Sequence, residues 1–385
     1  MKILALAQVF PPKHGGSGRW LWELYRHLPA GDVHVIAGTV DGDAEFDRAA
    51  TLSISRLPLD FTSWGLSSLR SATSYLKTFL RVRAFATRFR PDVIHCGKSL
   101  PEGLIAAAVG RVRRTPFVVF VHGEEITLAA QSRELNRLTR AVLRRALGIV
   151  ANSASTKQLL VESGIALPAN IVVIHPGVDT TTFVPAPQDA NVRRRLGWTD
   201  RRVILTVGAL QKRKGQDMLI RALPAIRALL PNVLYAIAGE GWERTYLETL
   251  AREHGVDDIV QFRGAPPFAE LVECYQQCDL FALPNRQVGW DFEGFGIVLL
   301  EAQACGKAVV AGRSGGTAET MQPGVTGELV DCETPDTLAR TVVTLLNAPD
   351  RLAAMGVRAR EWTVARFDWT VLAREAEERL REVVQ

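Results

Sequence analysis

At 385 residues the chain is too long for one core of ordinary size, so two domains are expected. Apolar residues make up 47% and charged residues 23%, the balance of a folded chain, and no apolar run approaches the about 18 residues a membrane-spanning helix needs. The net charge of +5 is uneven: 22 Lys and Arg against 14 Asp and Glu give +8 over residues 1–185, and 24 against 27 give −3 beyond them.

The first predicted strand, 3–9, begins with no signal-peptide pattern ahead of it. It runs into Phe10-Pro11-Pro12-Lys13-His14-Gly15-Gly16-Ser17-Gly18-Arg19, after which Trp20, Leu21, Leu24 and Leu28 mark one face of a helix. Glycines between a strand and a helix let backbone amides approach an anion, and the helix dipole adds to the attraction. A plain tight turn explains the loop equally well, and its spacing is not the dinucleotide fingerprint, which leaves a dehydrogenase unsupported.

Strands 33–37, 52–57, 93–95, 117–121, 149–152 and 171–174 follow, separated by helical patterns. The segment 69–90 contains no acid but carries Arg70, Lys77, Arg81, Arg83, Arg88 and Arg90, and it spaces Tyr75, Leu76, Phe79, Leu80, Val82, Phe85 and Phe89 as a helix would. A basic amphipathic helix of this kind suits an anionic membrane surface, or else a packed helix with a solvated basic face. Nucleic-acid motifs with interleaved surface aromatics are absent, so no nucleic-acid partner is expected.

A stretch rich in Pro and Thr, 176–187, reads as a domain junction, and a second strand series follows: 203–207, 233–238, 259–262, 280–283, 308–310 and 327–330. Near-continuous apolar strands alternating with helices mean parallel sheets covered on both faces. The expected fold is therefore α/β, with two tandem doubly wound Rossmann-like domains, residues 1–185 and 186–367, facing a cleft, and a last helix in 368–385, an arrangement that suits a reaction between two bound molecules.

His122 ends an apolar strand in Val121-His122-Gly123-Glu124-Glu125, at the carboxyl rim where ligands bind. Lys212, Arg213 and Lys214 cluster after strand 203–207, where cations can neutralise a diphosphate without a metal ion. The Asp41-Gly42-Asp43 pair lies in an acidic turn and is not read as a metal site. The most informative run is Glu293-Gly294-Phe295-Gly296-Ile297-Val298-Leu299-Leu300-Glu301. Read as a helix starting at Glu293, it sets two carboxylates about 12 Å apart along one face. That separation is too wide for a paired-carboxylate hydrolase and fits one extended ligand with its diphosphate over the helix N-terminus. The five cysteines form no metal-ligand pattern and read as reduced packing residues of a cytoplasmic protein.

With these residues in view, the chain resembles the retaining glycosyltransferases of family 4 over nearly its whole length, most of all the GDP-mannose-using phosphatidyl-myo-inositol mannosyltransferase type. The Glu293-to-Glu301 motif carries the resemblance, supported by Pro176-Gly177-Val178-Asp179, Ala238-Gly239-Glu240-Gly241 and Ala311-Gly312-Arg313-Ser314-Gly315-Gly316. It implies a two-Rossmann-domain (GT-B) fold whose last helix crosses back to the first domain, with no metal and no cofactor. The implied reaction moves a hexose, mannose for preference, from a nucleotide diphosphate sugar to a lipid, lipid-linked or polysaccharide acceptor in cell-envelope synthesis, at the inner face of the plasma membrane. Gly15 and Gly16 would meet the diphosphate, Lys214 the phosphates, and the amides of Phe295, Gly296 and Ile297 would cap them. Glu293 would hold the donor sugar, Glu301 the ribose, and His122 would sit by the reacting centre, while Arg263 and Gly264 would line the base. One departure stands out: Ala209 occupies the place of the family's usual arginine, with Lys212 or Arg213 as substitutes. A UDP-glucose or UDP-N-acetylglucosamine donor, a nucleotide-sugar epimerase or phosphorylase, and a catalytically impaired sugar-nucleotide-binding scaffold are the alternative readings.

Overall fold

The computed structural model describes all residues except 14, 29–31, 60, 62, 167 and 385. The thirteen expected strands form, each within two residues of its expected ends, most of them because a parallel strand buried on both faces is written as a continuous apolar run. In chain order they are β1 Ile3–Ala7, β2 Val33–Gly38, β3 Ser53–Leu57, β4 Val93–Cys96, β5 Phe117–Val121, β6 Gly148–Ala151 and β7 Ile171–Val173, then β8 Arg202–Val207, β9 Val233–Ala238, β10 Val260–Gly264, β11 Leu280–Leu283, β12 Val309–Gly312 and β13 Gly327–Val330.

Two compact units result, one made of Met1–Gly177 with Trp369–Gln385, the other of Val178–Asp368. The first holds a parallel sheet in the order β3-β2-β1-β4-β5-β6-β7, and the second a parallel sheet in the order β10-β9-β8-β11-β12-β13. Strand order reverses between β1 and β4 in the first unit and between β8 and β11 in the second. At such a point neighbouring crossovers leave on opposite faces and open a crevice beyond the carboxyl ends of the strands. The loops after β1, β4, β8 and β11 are therefore where each unit can hold a ligand.

The helix Leu69–Phe89 is capped by Ser68, whose hydroxyl accepts the Ser71 amide at 3.0 Å, and stops at Arg90 in the left-handed region. Tyr75, Thr78, Val82 and Ala86 face the core. Leu69, Leu76 and Leu80 face solvent instead, on the same side as Arg70, Lys77 and Arg81. The apolar residues of this helix thus divide between two faces, which their spacing alone does not reveal. The last helix, Trp369–Val384, belongs to the first unit, where the Trp369 ring stacks on His27 at 6.2 Å and Ala376 and Leu380 are fully buried.

Candidate active site

In the second unit three loops interlock at the switch point. After β8 the chain makes a short 3-10 turn, Lys212–Lys214, and Gly215 then adopts φ 73° to start the helix Gln216–Leu229. A Cβ at Gly215 would overlap the Pro284 carbonyl at the end of β11, so only glycine lets these loops meet. Gly315, after β12, is likewise pressed against the Glu293 carbonyl, which also accepts the Gly316 amide at 3.0 Å.

This packing fixes Glu293 in a buried position where its Oε2 takes Lys214 Nζ at 2.6 Å and Arg213 Nη1 at 2.7 Å. Burial opposes the Glu293 charge, but the two cations outweigh it and hold the carboxyl below its ordinary value. Burial lowers Lys214; Glu293 counters the shift and the Arg213 charge adds to it. Arg213 also reaches the half-exposed Asp291 at 3.2 Å, and Arg286 clamps Asp217 through two bonds of 2.8 Å. At its inner end the cluster sets two cations against one carboxylate, the polarity that receives a phosphate.

The expectation that Glu293 begins a helix is corrected. Gly296 takes φ 97° and the helix runs only from Ile297 to Ala304, so Glu293 lies in the loop before it and the two glutamates do not share two turns of one face. The left-handed Gly296 is what delays the helix, since a helical path cannot continue through it. Gly296 and Ile297 nevertheless head that helix, with Phe295 buried just before it. Glu301 is buried within the helix and accepts the Tyr275 hydroxyl at 2.6 Å. Tyr275, on the helix Phe268–Gln277, had no signal in the sequence, being 26 residues away.

The Arg263 side chain bonds Glu270 at 2.6 Å and the Leu196 carbonyl at 3.1 Å, which ties β10 to its flanking helices. Gly264 accepts the Gly239 amide at 2.6 Å, bringing the β9 and β10 rims together. Ala209 is exposed at the rim.

In the first unit Gly15 caps the helix Gly16–Arg26 and both glycines are exposed, while a Cβ at Gly18 would press on the Val9 carbonyl. His14 lies outside the described residues. His122 bonds the Gly97 carbonyl through Nε2 at 2.8 Å and meets the edge of Trp20 at 5.3 Å. A carbonyl only accepts, so Nε2 carries the proton; burial, aided by the Lys98 charge, pushes the imidazole down to about 4, and neutral His122 keeps Nδ1 as an acceptor.

Two carboxylates the sequence did not single out as a site stand behind it. Glu125 Oε1 accepts the His122 amide at 2.9 Å and Glu102 Oε1 accepts the Gln8 amide at 2.8 Å. Burial raises each to about 7, against the lowering effect of Lys98. A carboxyl raised on folding binds its proton more tightly in the fold, so its contribution is complete below pH 4.5 and fades as pH rises through about 7. Glu125→Gln should therefore match the native protein at pH 4 and exceed its stability at pH 8 by about 3 kcal/mol. Thermal unfolding at both pH values checks this; equal differences at the two would remove the account.

Residues 14–182 match the family described as Glycosyltransferase Family 4, and residues 188–362 match Glycosyl transferases group 1. The chain is 35% identical over 381 residues, 95% of either chain, to a GDP-mannose-dependent alpha-(1-6)-phosphatidylinositol monomannoside mannosyltransferase of Mycolicibacterium smegmatis. It is 29% identical over 395 residues, 100% of this chain and 98% of the other, to a GDP-mannose-dependent monoacylated alpha-(1-6)-phosphatidylinositol monomannoside mannosyltransferase of Corynebacterium glutamicum. Among solved structures, Anabaena HepE in complex with UDP-glucose has the same fold, with a TM-score of 0.83, 24% identity, and 99% of this chain and 100% of that one covered. The chain belongs to the glycosyltransferase family.

Proposed function

We propose that the chain moves mannose from GDP-mannose to a phosphatidylinositol mannoside or a closely related glycolipid, with retention of configuration and without a metal ion. The observation that carries the reading is the buried Glu293 carboxylate shared by Lys214 and Arg213, in a chain 35% identical over 95% of its length to a GDP-mannose-dependent enzyme. The donor binds the second unit: Lys214 and Arg213 take the diphosphate with the amides at the start of the helix Ile297–Ala304, Glu293 holds the hexose hydroxyls, and Glu301 the ribose. The base rests on the backbone around Arg263 and Gly264. The acceptor binds the first unit near Gly15, Gly16 and His122.

As the glycosidic bond breaks, charge grows on the departing phosphate, and the fixed cations and helix dipole favour that state over the ground state. The acceptor hydroxyl attacks from the face the phosphate leaves, and a phosphate oxygen takes its proton. Neutral His122 keeps Nδ1 free of a proton, ready to accept a hydrogen bond from an acceptor hydroxyl on the first unit.

A thermal-shift titration with GDP, GDP-mannose, UDP and UDP-glucose, with and without EDTA, tests the donor. GDP species at one hundred times their Kd should stabilise by about 2.7 kcal/mol, undiminished by EDTA. A shift confined to UDP species moves the donor, and no shift with any nucleotide favours the impaired scaffold, for which Ala209 is the motive. Product NMR then reads the anomeric configuration.

The surface of the first unit that meets the membrane is the exposed leucine stripe Leu69, Leu76 and Leu80 beside Arg70, Lys77 and Arg81. The native protein should pellet at low salt with vesicles of phosphatidylcholine and phosphatidylinositol. Reversing Lys77 and Arg81 to glutamate should weaken that binding at least about tenfold. Native protein left in the supernatant ends the membrane assignment.

A further inference from the structure

Just past the end of β11, Arg286 grips the loop after β8 at two places. Its amide donates to the Arg213 carbonyl at 2.9 Å, and its guanidinium donates to both oxygens of Asp217 at 2.8 Å each. One residue thus brackets, with its backbone and its side chain, the turn that carries Lys214 and Gly215. Between the two grips Gly215 lies against the Pro284 carbonyl, so the turn is closed onto the same segment. Further along, Val288 and Asp291 exchange backbone bonds of 2.9 and 3.0 Å in a short hairpin, and the Asp291 carboxylate takes the Arg213 guanidinium at 3.2 Å. Arg213 is therefore held at its carbonyl and again at the end of its side chain.

Asp217 is buried in the first turn of the helix Gln216–Leu229, where a carboxylate without a partner would be costly. Arg286 meets it with a bidentate fork, which fixes direction as well as distance, as a lysine or a single bond does not. The two charges cancel, so the pair adds no net charge to the cluster and acts on it by geometry. Geometry matters here because a fixed cation favours a developing anion only as far as it is already in place, and a misplacement of about 1 Å can cost up to about 100-fold in rate. We propose that Arg286 and Asp217 are a positioning pair: they clasp the 213–217 turn from both ends and hold Lys214 and Arg213 at the spacing that a departing nucleoside diphosphate requires. The proposal rests on the donor site assigned above. Its effect grows with the charge on the phosphates, so the pair favours the departing diphosphate over the intact donor.

The test uses the full chain and its Asp217→Asn and Arg286→Lys variants, each made alone and in Lys214→Ala. Arg286→Lys keeps the charge and the backbone bond and loses the fork, so it carries the test if Asp217→Asn does not fold. With a short-chain phosphatidylinositol mannoside present, single-turnover release of GDP from GDP-mannose is expected to slow about tenfold in either single variant. The same change made in Lys214→Ala should cost less than about threefold, because a pair that works through Lys214 then has less to position. GDP affinity, read by calorimetric titration, should fall about tenfold and GDP-mannose affinity less than about threefold. Equal fold-losses of rate in the native and Lys214→Ala backgrounds, or equal losses of affinity for the two nucleotides, make the pair a structural brace and overturn the proposal. Native rates and affinities in both variants overturn it too and leave the proposed function standing. A protein that binds GDP but releases none from GDP-mannose is judged on the two affinities, which uphold or overturn the pair without the acceptor. A native protein that binds neither nucleotide removes the donor site and the positioning role together.

Discussion

Lys214→Ala is expected to lower kcat for mannose transfer roughly 100- to 1,000-fold, the loss that follows removal of one preorganised charge aimed at a developing anion. The native ammonium lies 2.6 Å from Glu293 and is buried, so neither water nor a mobile surface side chain can take its place. Its removal also leaves Glu293 with Arg213 as the remaining cation at Oε2, and some destabilisation accompanies the kinetic loss. Lys214→Arg separates the two effects: it keeps the charge but forks it, and should restore stability more fully than rate. Single-turnover release of GDP from GDP-mannose gives the chemical step. A kcat within about threefold of native for Lys214→Ala would mean that the leaving-group charge is met elsewhere.

Arg213→Ala is expected to cost about ten- to a hundredfold in kcat/KM, the range for losing one charged contact to a phosphate. The sequence left two substitutes for the arginine missing at position 209. Geometry favours Arg213, whose guanidinium joins Lys214 on Glu293, over Lys212, which contributes no contact described for the cluster. Ala209 is exposed on the same loop, one residue beyond Gly208, so Ala209→Arg introduced into Arg213→Ala should recover part of the loss. Activity of Arg213→Ala at the native level would make Arg213 a brace for the Asp291 hairpin and nothing more. Recovery by Ala209→Arg would show that the loop tolerates the cation from either side.

Most strands were legible because they are short apolar runs, whereas the edge strands β3 and β10 alternate apolar with polar residues. Lys214 stood out in the basic cluster after β8, and Glu293 and Glu301 stood out by their eight-residue spacing in a distinctive motif. The path of the chain through Glu293 was not legible: the eight-residue spacing suggested a helix, and the left-handed Gly296 that delays it acts through a backbone angle rather than a pattern. Contacts assembled across loops were also out of reach. Glu102 meets Gln8 over 94 residues and Tyr275 meets Glu301 over 26, and no local periodicity records either pairing. For the helix Leu69–Phe89 the leucines and phenylalanines look alike in sequence, and only the packed Tyr75 and Val82 show which of them face inward.

The second unit is one unbroken segment, and its two ends lie side by side, with the Val178 amide on the Phe367 carbonyl at 2.8 Å and Thr180 bonded to Asp368. The first unit is interrupted by it and recovers its final helix only at Trp369–Val384. During synthesis, the part of the molecule that begins first is therefore finished last. The second unit can close as soon as Asp368 has emerged, while the first waits with Ala376 and Leu380 still to be delivered to its core. A ribosome pausing just after Asp368 would leave a complete second unit attached to an unfinished first one. Losing the last helix would strip apolar cover from the first unit rather than from the segment next to the break.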